Sequence, residues 1–276
     1  MSSFFRRGGP FLLCASALAE TSADKSGHTL FHPVPRELLR EMSTDRPDKT
    51  ESPYTVDAGH FQVEMDFANF THDSADGVRT HAWNLAPVNF KIGLLNSVDL
   101  QFVYDGYLRE QTRIHGDDET RRGWGDLATR LKINLWGNDG EKTALAMMPF
   151  VKFPISAGDI GNGAVEGGII FPLAVELPGG WGVGFMTEFD FLRDETGGGY
   201  HAEFVNSITF SHDIIGKLGG YVEFFSAVGA ASWVGTVDLG LTYTLTENIQ
   251  LDAGCNIGLT HAAEDVQPFA GFSIRF

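Results

Sequence analysis

From Gly59 onward the chain alternates apolar and polar residues with a period of two, which places them on opposite faces of an extended strand. Phe61, Val63, Met65 and Phe67 oppose Gln62, Glu64 and Asp66. Val98, Leu100, Phe102 and Tyr104 oppose Asp99, Gln101 and Asp105, and the same split recurs toward the C-terminus, where Ile249, Leu251 and Ala253 oppose Gln250 and Asp252. The pattern predicts twelve strands, at about 59–71, 80–93, 97–107, 124–136, 142–154, 164–177, 181–192, 200–212, 218–229, 233–245, 249–260 and 266–276. It is weakest in 80–93, 142–154 and 218–229, where small or aromatic residues occupy the nominally polar face.

The connections alternate in length. Turn-like links such as Leu94-Leu95-Asn96 and Pro178-Gly179-Gly180 follow the even-numbered strands, and longer or more polar stretches at 72–79, 108–123, 155–163, 193–199 and 261–265 follow the odd ones. An even strand count, with short turns at one end and long loops at the other, predicts an all-β, antiparallel, up-and-down transmembrane barrel. A soluble β-sandwich also alternates, but it would not send large apolar residues to one face on all twelve strands. Aromatics such as Trp181, Phe191, Tyr200, Trp233 and Tyr243 fall near strand ends, as interfacial girdles do. The last strand finishes on Phe276, a candidate signal for the barrel-assembly machinery of a Gram-negative outer membrane.

Several stretches also resemble a known family. Residues 43–64, from Ser-Thr-Asp-Arg-Pro-Asp-Lys to Phe-Gln-Val-Glu, are similar to the opening motif of the outer-membrane transporter-like family named for the MetA pathway of phenol degradation. Gly125-Asp126-Leu127, the stretch from Pro149 to Pro154, and Leu251-Asp252-Ala253-Gly254 look similar too, so the resemblance spans roughly 35–276. It implies an outer-membrane barrel moving small, often hydrophobic or aromatic solutes, and it hands over no binding residue.

Composition narrows the alternatives. With 20 basic against 36 acidic residues and a net charge of −16, the chain repels polyanions, which argues against a nucleic-acid partner. Two cysteines make no disulfide framework, and no cysteine pair has metal-ligand spacing, so neither a metal nor a cofactor is expected. Residues 1–19, with Arg6, Arg7, an apolar stretch and Ala17-Leu18-Ala19, read as a secretory signal peptide that would remove Cys14 and leave Cys255 buried or lipid-facing.

Residues 20–58 are polar and punctuated by proline, with a short helical candidate from Pro35 to Met42. This segment is either a flexible periplasmic leader or a plug in the periplasmic mouth, with Arg46 and Lys49 pairing to lumen carboxylates; the barrel proper is expected over 59–276.

If the polar face points inward, the solute pathway is lined by Glu64, Asp66, Asp99, Gln101, Glu166, Glu188, Asp190, Glu203, Glu223 and Asp252, with Lys91, Arg130, Lys132, Lys152 and Arg275 opposing them. Acids exceed bases, which favours cations. Trp83, Phe150, Phe225 and Phe269 are expected to point inward, as an apolar slide or as packing.

The predicted function is an outer-membrane channel or transporter passing small solutes by diffusion. The alternatives are a lipid-modifying enzyme or a structural or adhesive barrel. Catalysis would need a nucleophile with a histidine and an orienting group. The histidines are scattered, and Ser211 and His212 point to opposite strand faces, so no catalytic residue is assigned. The expected partners are outer-membrane lipids, lipopolysaccharide, the assembly machinery and a small solute. For lipopolysaccharide the candidate is the 108–123 stretch, with Arg109, Arg113, Arg121 and Arg122 among Glu110, Asp117, Asp118 and Glu119, unless it is only a solvated loop.

Overall fold

The structure, a computed structural model, describes residues 24–158, 160–194, 198–229 and 232–276. The expected signal peptide at 1–19, Cys14 included, lies outside the described residues.

β1 (Phe61–Ala75) is long enough to take two partners on one edge: β2 (Val78–Leu85) along its upper half and β3 (Val88–Leu95) along its lower half. β4 (Val98–Tyr104) and β5 (Tyr107–Ile114) repeat that division, as do β6 (Asp117–Trp124) and β7 (Leu127–Trp136). Next come β8 (Thr143–Phe153), the two-residue β9 (Ala157–Gly158), β10 (Glu166–Leu177), β11 (Trp181–Arg193) and β12 (Tyr200–Ile215). The chain ends with β13 (Leu218–Val228), β14 (Trp233–Thr246), β15 (Ile249–Gly258) and β16 (Val266–Arg275). All pairings are antiparallel, and β16 returns to β1 from Gln62↔Arg275 to His72↔Val266, closing a twelve-stranded wall of β1, β3, β4, β7, β8 and β10–β16. Closure leaves the wall no free edge.

The side chains sort as a barrel in hydrocarbon requires. Phe67, Phe185, Phe189, Phe191, Phe204, Phe210, Leu239 and Leu251 are exposed on the outside. Gln62, Glu64, Lys91, Asp99, Gln101, Lys132, Glu223 and Asp238 are almost fully buried on the inside. Cys255 is a half-buried free thiol on the outward parity of β15. Among the described residues no helix is long and apolar enough to cross a membrane.

Three expectations change. The stretches 72–79 and 108–123 are not loops but the tips of extended hairpins, each closed by a two-residue turn: Asp76-Gly77 (φ 51° and 80°) and His115-Gly116 (φ 52° and 102°). Positive φ at both central positions matches the right-handed twist of the flanking strands, so these turns prolong pairing instead of ending it. The helical candidate at Pro35–Met42 is reduced to one 3-10 turn, Arg36–Leu38, with its flanking residues extended.

The third change concerns which way Trp83 points. A bulge at Phe67 and breaks at Ala86-Pro87, Asp105-Gly106 and Gly125-Asp126 run across neighbouring strands, and each shifts the inward–outward alternation by one residue. Ala86 is left-handed (φ 54°) and Pro87 has no amide hydrogen to donate, so the ladder stops there. Trp83 therefore faces outward, 42% exposed, and packs on Phe70.

Candidate functional site

Residues 43–57 lie inside the barrel, held by lumen side chains from most of the wall. Their backbone is irregular, with bends at 45, 47–50 and 53 and no strand or helix, so its polar groups need partners from elsewhere. Glu64 accepts the Asp45 amide, Glu223 accepts the amides of Lys49 and Thr50 at 2.9 and 2.8 Å, and Asp99 accepts that of Val56 at 3.0 Å. Asn134 donates to the Pro53 carbonyl at 2.9 Å, and the Thr50 hydroxyl meets Ser207 at 2.6 Å. Gly93 makes room at the mouth, where any β-carbon would stand 2.0 Å from the Asp57 carbonyl oxygen.

The charges are matched more tightly still. Lys91, buried between Gln62 and Gln101 in the strand register, is paired with Asp45 and Glu64. Lys132, fully buried, reaches the other oxygen of Asp45 at 2.5 Å. An ammonium removed from water must find such partners, since its desolvation costs several kcal/mol. Burial alone would raise the Asp45 carboxyl, but the two lysines outweigh it and hold the group below the usual carboxylate range. Arg46 joins Asp66 and Asp252, Lys49 joins Asp238 at 3.2 Å, and Glu51 joins Arg130. Asp48 gains no such relief: burial, reinforced by the Glu223 charge, pushes it well above the usual range.

Three of the four aromatics expected inside do face inward, and each sits beneath a cation. Arg46 lies over Phe269, Lys49 over Phe225 at 4.4 Å and Arg130 over Phe150. Geometries of this kind are worth about 0.5–2 kcal/mol each.

The remaining sequence-predicted residues sit apart from the segment. Lys152 bridges Glu166 at 2.5 Å and Asp126 at 3.4 Å toward the opposite end. Asp190 and Glu203 are direct cross-strand neighbours with Glu188 one inward position below, and one oxygen of the buried Asp190 carboxylate has no hydrogen-bond partner. Arg275 stays at the mouth, donating to Asn248 and to the Arg40 carbonyl. Phe276 donates its amide to Phe61, while its carbonyl faces the His60 ring at 2.9 Å.

Sequence reasoning missed two groups. One comprises Asp45, Thr50 and Glu51, which complete the lumen pairs; the available signal was Lys91, a buried lysine with glutamines rather than acids beside it in register. The other is an apolar patch on the inward face, in which Met148, Ile170, Met186, Val205 and Ala227 pack together with Phe150, Phe225 and Val234. Its signal was the presence of Met148, Ile170 and Met186 at positions where the alternation calls for polar residues. No dyad forms at Ser211 and His212, since the hydroxyl stands beside Gly182 while the imidazole packs at a tilt against Trp181, ring centroids 4.6 Å apart.

The sequence matches the family described as "Putative MetA-pathway of phenol degradation" over residues 44–276. The chain belongs to that family. The match to this phenol-degradation family begins at the second residue of the enclosed segment, so it takes in the segment as well as the wall. No curated protein matches the sequence. Among solved structures, the chain is similar to an outer membrane channel from Pseudomonas putida F1, at 13% identity and a TM-score of 0.56 over 85% of this chain and 100% of that one. It also resembles the NanC porin, at 10% identity and a TM-score of 0.48 over 78% of this chain and 98% of that one. The first of these likenesses establishes the outer-membrane barrel fold.

Proposed function

We propose that the protein is an outer-membrane channel for small solutes, closed at rest by residues 43–57 and favouring solutes that carry positive charge. The observation that carries this reading is a polar interior filled by a chain segment tied in through ion pairs, not through apolar packing. Buried ion pairs come close to breaking even with hydration, so water and ions entering behind a departing segment replace most of what it loses. An apolar core would have no such exit.

Departure of the segment uncovers Asp66, Asp252, Asp238 and Glu223, whose present partners are Arg46, Lys49 and Thr50, and also Lys91, Lys132 and Arg130, which lose Asp45 and Glu51. With Glu188, Asp190 and Glu203 above them, the seven carboxylates outnumber those three cations, so the path favours cations over anions. The patch around Met148, Ile170 and Met186 offers an apolar surface beside that path, suited to a hydrophobic or aromatic body. A channel needs no nucleophile and no metal, and diffusion through the lumen needs no energy coupling.

Planar-bilayer recording tests the reading. The full chain is expected to conduct rarely, the chain lacking residues 20–52 to conduct steadily, and reversal potentials across a salt gradient to show cation preference that weakens in Glu188→Gln/Asp190→Asn. Equal conductance with and without the segment would remove the closing role; a silent, folded deletion variant would remove the channel.

A further inference from the structure

Above the strand breaks, β1, β2, β5 and β6 form a four-stranded ribbon with one face turned outward. Trp83, Leu85 and Trp124 lie on that face, each about half exposed, and Tyr107 pairs directly with Leu85 and Trp124. These rings mark the level at which hydrocarbon gives way to headgroups.

The register then places arginines against arginines. Arg109 stands opposite Arg122, level with Trp83, and four residues further along the strand Arg79 stands opposite Arg113. The two pairs are separated by about 13 Å along the strand at 3.3 Å per residue. Like charges directly opposite on one sheet face oppose pairing. Only one of the four guanidinium groups is neutralised: Asp118 receives Arg113 in a fork of 2.6 and 2.9 Å. Among the described residues no carboxylate lies within ion-pair reach of Arg79, Arg109 or Arg122. Arg79, Arg113, His81, Gln111 and Asp118 surround a cavity of about 230 Å³, so the donors converge on a space. All of this occurs in a chain with nearly twice as many acidic as basic residues.

A planar guanidinium binds phosphate oxygens through two parallel hydrogen bonds. At the height of an aromatic girdle, the phosphates available to an outward-facing side chain are those of membrane lipids. We propose that this face binds the phosphate groups of an anionic glycolipid of the outer leaflet, one phosphate at the Arg79–Arg113 pair and a second level with Trp83 at the Arg109–Arg122 pair. The bound phosphate supplies the negative charge that the ribbon lacks and fixes the hairpins against the membrane surface. This assignment is independent of whether the lumen conducts.

Binding of lipid A carrying both phosphates to the full chain in mixed micelles tests it, with dephosphorylated lipid A as the control. The full chain is expected to prefer the phosphorylated form by about tenfold, the effect of roughly one charge-assisted hydrogen bond. Arg79→Gln/Arg109→Gln should erase that preference, while Lys217→Gln at the far end of the barrel should leave it intact. Resistance of the folded barrel to unfolding in dodecyl sulfate confirms that each variant is assembled. Equal binding of the two lipid forms would overturn the proposal, as would undiminished preference in the arginine variant. Displacement of the lipid by equimolar inorganic phosphate would also overturn it, because the site would then be a free-anion site.

Discussion

Arg46 forks onto the carboxylate of Asp252, 206 residues further along the chain, its Nε and Nη2 standing 3.1 and 2.5 Å from the two oxygens. The same Nη2 lies 2.6 Å from Asp66, so one side chain ties the enclosed segment to the first strand of the wall and to its last but one.

Arg46→Gln leaves the Asp252 side chain fully buried without its charge partner, which costs about 3 kcal/mol when one member of a buried pair is removed. The expected readout is a rise of about a hundredfold in the open-to-closed ratio, at 1.4 kcal/mol per factor of ten. Asp252→Asn added to that variant should change the ratio much less than it does alone, since the two residues act through one interaction. Single-channel recording of the three variants decides, and an unaltered ratio in Arg46→Gln would dissociate the pair from closure.

Asp48 gives closure a pH dependence with a definite sign. Its carboxyl is raised in the seated segment, first by burial and then by Glu223, so the seated state holds the proton more tightly than the released state does. The Asp48 contribution to seating is therefore fully present below the ordinary aspartate value of about 3.9, is lost as pH rises from there toward the raised value, and is flat above it, whereas Asp45, held low, works against seating only below that ordinary value. Channel opening should increase over that window, and the increase should shrink in Asp48→Asn. A full chain whose opening falls as pH rises would contradict this sign.

Ile170 is buried on the lumen side among Met148, Met186 and Val205. Ile170→Ala should lower the unfolding free energy by about 3 kcal/mol through lost burial and a residual cavity. Urea unfolding from lipid vesicles measures it; a change under about 1 kcal/mol would mean that the patch is already hydrated, with water able to collapse into the vacated space.

The outward face predicts a contrast between two arginine substitutions. Phe185, exposed between the rings of Trp181 and Phe191 on β11, should cost about 2–4 kcal/mol when changed to arginine, as expected near the bilayer midplane, whereas Ile215→Arg, on the same outward face at the turn end of β12, should cost close to nothing. Equal effects at the two positions would be incompatible with a membrane crossing at Phe185.

The strand count and the inward polar face were legible because strict alternation leaves only one way to hide the carboxylates once the barrel closes. Glu64, Lys91, Asp99 and Lys132 could thus be placed from parity alone. Parity fails wherever the ladder skips a residue, and Trp83 was misplaced because the bulge at Phe67 and the break at Ala86-Pro87 stand between it and the well-patterned positions. The tall hairpins were hidden for a different reason: polar residues such as Arg109, Glu110 and Arg113 suggest a loop, although the Asp76-Gly77 and His115-Gly116 pairs already carry the turn chemistry of continuing strands. Asp45 and Glu51 were illegible because their partners lie on strands far away in sequence, and a segment without periodicity gives no register from which to find them.

The seam between β1 and β16 has a bearing on how the molecule is put together. The enclosed segment lies immediately upstream of β1, and β1 supplies one edge of that seam, so the pairing of Gln62 through His72 with the C-terminal strand fixes where the segment enters the lumen. Until residues 43–57 are seated, whether before or after the sheet seals, Lys91 and Lys132 stand without the Asp45 carboxylate that partners them both.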